Sequence, residues 1–136
     1  MNQELQKKYV ELQLLNEQIK KIHEQFIFLQ QQLNELSNLE LTVTDMKEVK
    51  KDSEIFSPLG SGIFVNSKLT NTATVLVNIG AGILVEKNLQ EAVNLINFQA
   101  KNVHESIESI KTELTKAVNY SQNLESEINE MAQKEQ

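Results

Sequence analysis

The sequence predicts a mainly α-helical chain with a small β element. Two long helices pair antiparallel as a coiled coil and are joined by two β-hairpins. Three observations carry this. From Leu5 the apolar positions step by 3 and 4 through Leu12, Leu15, Ile19, Ile22, Phe26, Leu29, Leu33 and Leu36, with only Lys8 interrupting. The same stepping returns at Leu89 and runs through Val93, Ile96, Ala100, Val103, Ile107, Ile110, Leu114, Ala117, Leu124, Ile128 and Met131, with Ser121 the one polar member. A 3.5-residue repeat held this long marks a coiled-coil seam. Between the two seams lies a short Gly- and Val-rich middle that contains all four glycines and the single proline.

The 136 residues read as one domain in three segments: an N-terminal helix within 1–51, a hairpin platform at 52–87 and a C-terminal helix within 88–136. The first helix is expected from about Gln3 to Lys51, with Lys47, Lys50 and Lys51 in its last turns, where cations suit the negative end of the dipole. Past Leu36 the apolar series Leu36, Leu39, Val43, Met46 contains two successive three-residue steps. Such a stammer overwinds the supercoil, which places a bend or a change of packing partner near Ser37–Asn38. The second helix has a clear start: Asn88 as cap, Leu89 as first apolar residue and Glu91 at N3 to reach back. It is expected to run to about Met131. An antiparallel register in which facing residue numbers sum to roughly 136–138 sets Leu5 against Met131, Leu12 against Leu124, Ile19 against Ala117 and Phe26 against Ile110.

In the middle segment, Ile55–Leu59, Ile63–Leu69, Thr74–Ile79 and Ile83–Lys87 are short runs rich in Val, Ile, Phe and Thr. They read as strands, and Gly60-Ser61-Gly62 and Gly80-Ala81-Gly82 read as hairpin turns. Alternation puts Val75, Val77 and Ile79 on one face, and Thr74, Leu76 and Asn78 on the other. An isolated hairpin is marginal in water, so two apolar ones need cover from other chains. The residues expected to make that contact are Ile55, Phe56, Ile63, Phe64, Val65, Val75, Val77, Ile79, Ile83 and Val85.

Composition narrows the function. Net charge is −6, every basic residue is lysine, and the C-terminal segment 89–136 carries 4 Lys against 8 acids. No segment is basic enough to neutralise a phosphate backbone, which argues against nucleic acid as a partner. With no cysteine there is no disulfide framework or thiolate site. No apolar run approaches the length of a membrane span and no signal-peptide pattern is present, so a soluble cytoplasmic protein that does not engage membranes is expected. The GxG pairs precede strands and lack the third glycine or the Lys-Ser/Thr of a phosphate cradle. His23 and His104 lie on seam flanks, about eleven residues out of register, too far apart to share a metal. Pairs such as Glu105–Glu108 and Glu127–Glu130 have helical spacing but no pocket to give them acid–base work. No nucleophile–base set can be assembled, and the chain reads as a non-enzyme with neither cofactor nor catalytic residue.

Apolar residues off the seam remain: Tyr9, Val10, Leu14, Ile27 and Phe28 on the first helix, and Leu95, Phe98, Val118 and Tyr120 on the second. Singly they are ordinary surface apolars. Near the free tip they can also line a site for something hydrophobic.

The connector motifs Pro58-Leu59-Gly60-Ser61-Gly62-Ile63-Phe64-Val65 and Val75-Leu76-Val77-Asn78-Ile79-Gly80-Ala81-Gly82-Ile83-Leu84-Val85-Glu86-Lys87, set between two heptad helices, resemble the archaeal prefoldin alpha class. That class has two hairpins where the beta class has one, and the resemblance covers nearly the whole chain. It implies an ATP-independent holding chaperone, a hexamer of two alpha-type and four beta-type subunits whose hairpins build a double β-barrel body. The coiled-coil tips would grip unfolded client proteins, prevent their aggregation and pass them to a group II chaperonin. Mapped here, the client-facing residues would be Leu5, Tyr9, Leu12, Leu14, Leu124, Ile128 and Met131. A competing placement puts client binding on inner arm faces at Leu14, Phe28 or Phe98. The alternative from another class is a structural coiled-coil adaptor or a filament-forming prefoldin-like scaffold.

Overall fold

A computed structural model describes residues 2–135. Helix α1 spans Gln3–Asp45 and a 3-10 turn follows at Met46–Glu48. Strands β1 (Ser53–Gly60), β2 (Ile63–Leu69), β3 (Thr74–Gly80) and β4 (Ile83–Asn88) lead into helix α2 (Leu89–Lys134). The residues fall into two compact units, one of 1–33 with 102–136 and the other of 34–101, and each helix contributes to both.

α1 stops six residues short of the expected Lys51. The run Thr42-Val43-Thr44 is β-branched and weakens the last turn, Thr42 bonds back to the Asn38 carbonyl at 3.0 Å, and Asp45 sits at the negative end of the dipole. Val49 is then extended and Asp52 adopts a φ of 66°, so Lys47 falls in the 3-10 turn, Lys50 and Lys51 lie beyond it, and none of the three is in the final turn of α1. The expected stammer is also absent. Leu39 is 47% exposed, whereas Glu40 is half-buried and Val43 is 6% exposed, so the regular steps Leu36–Glu40–Val43 continue the seam. A heptad geometry, once established, carries on through a charged residue instead of jumping to the nearest apolar one. The Asn97 amide, in the orientation that satisfies both side chains, donates to the Glu40 carboxylate at 3.0 and 3.2 Å.

The start of α2 follows the sequence reading in detail. The Glu91 backbone N–H donates to Asn88 Oδ1 at 2.8 Å, and the Asn88 N–H donates to Glu91 Oε1 at 3.3 Å, closing a reciprocal capping box. In the second unit Val43, Leu89, Ala92 and Ile96 form a core, with Leu36, Met46, Val75 and Val93 packed against it. Ala92 lies off the heptad seam. It is buried because the hairpin residue Val75 widens the apolar face that the helices must cover.

The β region is two separate two-stranded antiparallel sheets, β1–β2 and β3–β4, built on one plan. Ser61 and Gly62 (φ 48° and 80°) and Ala81 and Gly82 (φ 52° and 73°) each place two successive residues in the left-handed region. That is the type I′ geometry whose twist matches paired strands. In both hairpins the register shifts just before the turn, between Pro58 and Gly60 and between Asn78 and Gly80. Leu59 and Ile79 are the extra residues of these bulges. The bulge breaks the alternation, so Ile79 leaves the face shared by the half-buried Val75 and Val77 and is 58% exposed.

Candidate functional site

Two regions hold the residues expected to act, and they present them in opposite ways. In the first unit, Leu5, Leu124 and Ile128 are 2%, 4% and 3% exposed, and Leu12 and Met131 pack against them. Five of the seven expected client contacts therefore form one closed apolar cluster between the opening turns of α1 and the closing turns of α2. The other two, Tyr9 and Leu14, are exposed, as is Val10, and Leu14 lies on the face of α1 away from that cluster. A shallow open groove on α1 is lined by Tyr9, Val10 and Leu12 together with the polar Gln13, Asn16, Glu17 and Lys20.

Polar contacts cross between the helices on both sides of the cluster. The Asn2 backbone N–H donates to Glu135 at 3.2 Å, and Lys8 Nζ donates to Glu127 at 2.6 Å. The Tyr120 hydroxyl donates to the Glu11 carboxylate, and Ser121 Oγ donates to Asn16 Oδ1 at 3.1 Å. Asn2–Glu135, Lys8–Glu127 and Ser121–Asn16 fall within about a residue of the antiparallel register expected for the two seams, whereas Tyr120–Glu11 reaches roughly one and a half turns along the rod. The Glu127 hydrogen bond, with the field of nearby carboxylates, raises the Lys8 pKa above its ordinary value, and the Glu11 hydrogen bond raises that of Tyr120. Sequence periodicity identified Lys8 and Ser121 as polar breaks in the seam but not their partners. Glu127 and Asn16 each sit one residue from a seam position, where heptad reading sees only a solvated flank.

In the second unit the hairpins leave much of their apolar surface open. Phe56 is 73% exposed, Ile63, Phe64, Val65, Ile79 and Ile83 are exposed, and Ile55, Val75, Val77 and Val85 are half-buried. Leu59, Leu76 and Leu84 join the exposed set and were missing from the expected one. The signal was present: Leu76 and Leu84 occupy the alternate face of β3 and β4, which Leu76 makes partly apolar in the sequence itself. All four strands have a free long edge in this two-by-two arrangement.

The remaining candidates do not converge. His23 and His104 are exposed, His23 stacks on Phe26 at 6.4 Å, and among the described residues no group of His, Asp or Glu is placed to hold a metal ion. Leu14, Phe28 and Phe98 are 58%, 57% and 62% exposed. No helix among the described residues is long and apolar enough to cross a membrane.

Comparison with known proteins agrees with this architecture. A family model described as Prefoldin subunit matches residues 15–134. Prefoldin subunit alpha of Methanococcus maripaludis strain C5 is 28% identical over 116 residues, covering 85% of this chain and 78% of its own. Prefoldin subunit alpha of Methanopyrus kandleri is 30% identical over 106 residues, covering 78% of this chain and 68% of its own. That of Pyrococcus horikoshii is 26% identical over 136 residues and covers 99% and 87%. Among solved structures, filamentous prefoldin from Methanocaldococcus jannaschii superposes with a TM-score of 0.74 at 19% identity, over 85% of this chain and 95% of that one. The chain belongs to the prefoldin family of chaperones and, within it, groups with the archaeal alpha subunits.

Proposed function

We propose that the chain is a subunit of an ATP-independent holding chaperone that assembles through its hairpins and binds unfolded polypeptides at the helix end carrying both termini. The observation that carries this is the exposed apolar surface of the two hairpins. Phe56, Phe64, Leu76 and Leu84 are more than half exposed, and a large apolar side chain left wholly in water forgoes roughly 1.5–3 kcal/mol of burial. Beta-type prefoldin subunits, four for every two of these chains, are the partners the family relationship suggests, with the hairpins closing into a β-barrel body. Closure removes the free strand edges as well as the exposed faces. Several weakly binding ends on one body then hold a client by effective concentration. Such binding stabilises the unfolded chain until it passes to a group II chaperonin in the cytoplasm.

The test is recovery of the tagged chain from its native cell extract without cross-linking. A stoichiometric small coiled-coil partner, chaperonin and a heterogeneous set of unfolded chains are expected. One defined folded partner, or long homopolymers alone, would replace this reading with a structural adaptor or filament scaffold. The fold likeness to a prefoldin described as filamentous favours keeping that second reading.

A further inference from the structure

We infer that the polar contacts around the Leu5–Leu124–Ile128 cluster form a clasp, and that capture of an unfolded polypeptide uses the cluster only when this clasp opens. The inference rests on the holding-chaperone reading and adds the regulation of its binding end. With exposures of 2–4%, Leu5, Leu124 and Ile128 have no free surface to offer a client in the closed arrangement.

What surrounds them is unlike the rest of the seam. Lys8 and Ser121 are the two seam positions in this unit that lack an apolar side chain, and both lie next to the cluster: Lys8 between Leu5 and Leu12, Ser121 one step before Leu124. A polar residue at a seam position lowers coiled-coil stability while fixing the register. Here each is answered by a single partner on the other helix, Glu127 for Lys8 and Asn16 for Ser121. Tyr120–Glu11 and Asn2–Glu135 complete the series. Most of these contacts are solvent-exposed, so each is weak and water replaces it readily once broken. Helix ends held in this way open locally without global unfolding. A continuous apolar seam would hold the same end shut far more firmly, so the two polar insertions set the cluster between closed and available.

The test uses two variants that move the clasp in opposite directions, with hydrogen–deuterium exchange and capture read separately. Glu11→Ala with Glu127→Ala removes two rungs and leaves every apolar residue in place. Lys8→Leu with Ser121→Leu fills the seam. A control, Glu125→Ala with Glu130→Ala, makes the same charge change at carboxylates with no cross-helix hydrogen bond among the described residues. Exchange of the amides in 5–16 and 121–131 should rise about threefold or more in the first variant, fall in the second and stay near wild type in the control. Suppression of aggregation of guanidinium-unfolded lysozyme should follow the same order, with at least a twofold gain in the first variant. Exchange unchanged in both clasp variants overturns the inference. So does capture that tracks the charge control or ignores the change in exchange, which would assign binding to exposed apolar residues such as Tyr9, Val10 and Leu14. Absence of capture by the wild-type chain sinks the holding reading and the capture half of the inference with it, while exchange alone still decides whether the rungs govern opening.

Discussion

The end that carries both termini and the hairpin region treat apolar residues in opposite ways. At the first, Leu5, Leu12, Leu124, Ile128 and Met131 are covered by the chain's own opposite helix. In the second, Phe56, Ile63, Phe64, Leu76 and Leu84 are exposed although they stand in paired antiparallel strands, and Leu59 is exposed at a bulge. The difference is one of available cover. A helix offers a single stripe, and one antiparallel neighbour can bury it. A two-stranded sheet has two faces and two edges, and here the helices cover only part of one face, through Val75. The helix pair is thus satisfied within one chain and the hairpins are not, which is the ground for proposing permanent association at the hairpins and reversible opening at the helix ends.

The sharpest way to break this contrast is to put charge on the open face. Phe56→Asp with Phe64→Asp should abolish assembly with partner subunits, seen as a shift to monomer in analytical ultracentrifugation. Helical circular dichroism should change little, because neither side chain touches the helix cores. The same pair of substitutions at the closed end, Leu124→Asp with Ile128→Asp, should do the reverse: local helicity lost and assembly retained. Assembly that survives the hairpin charges would remove the basis for assigning association to those faces.

Cavity substitutions come next in size. Ile107→Ala and Ile128→Ala remove side chains that are 2% and 3% exposed and should each cost about 2–5 kcal/mol in urea unfolding. Leu14→Ala, at a site 58% exposed, should stay within about 0.5 kcal/mol of wild type. Equal losses at Leu14 and Ile128 would mean that Leu14 is covered in solution. Smaller again is Asn88→Ala, which removes the side chain accepting from the Glu91 N–H and should cost about 1 kcal/mol.

These residues also mark how far the sequence could be read. The turns were legible because a two-residue hairpin needs successive positive φ angles, and Gly62 and Gly82 announce them. The α2 start was legible because Asn88 and Glu91 are both capping types at the right spacing. The seam was legible wherever it is apolar and misread where it is not. At Glu40 the reading moved to Leu39 because it followed residue type, while the helix followed its geometry. The α1 end was misplaced because three lysines suggested a continuing helix, and the β-branched Thr42-Val43-Thr44 run that ends it weighed more. The cross-helix partners Asn16, Glu11 and Glu127 were not legible, since a polar flank residue has the same pattern whether it meets water or a neighbour. Five of the expected client residues, Leu5, Leu12, Leu124, Ile128 and Met131, were legible as apolar seam members, but their closure depends on which side chains face each other across two helices, and that comes from packing.

The smallest effect tests the closed end alone, through pH. Lys8 and Tyr120 both have pKa values raised in the folded chain, chiefly by their hydrogen bonds to Glu127 and Glu11. A group whose folded pKa lies above its unfolded value contributes stability that is fully present below the unfolded value. That contribution is lost as pH rises through the folded one. The ordinary values are 10.5 for Lys8 and 10.0 for Tyr120, so both contributions persist at neutral pH and fade together in the alkaline range above about pH 10. Protection of the amides in 5–16 and 121–131 should therefore weaken on alkaline titration before that of Leu89–Ile96, where neither raised group lies. Lys8→Met with Tyr120→Phe should remove most of that difference. Equal alkaline sensitivity in the two regions of the wild-type chain would show that these rungs do not hold the end closed, and the contrast between the regions would then rest on apolar burial alone.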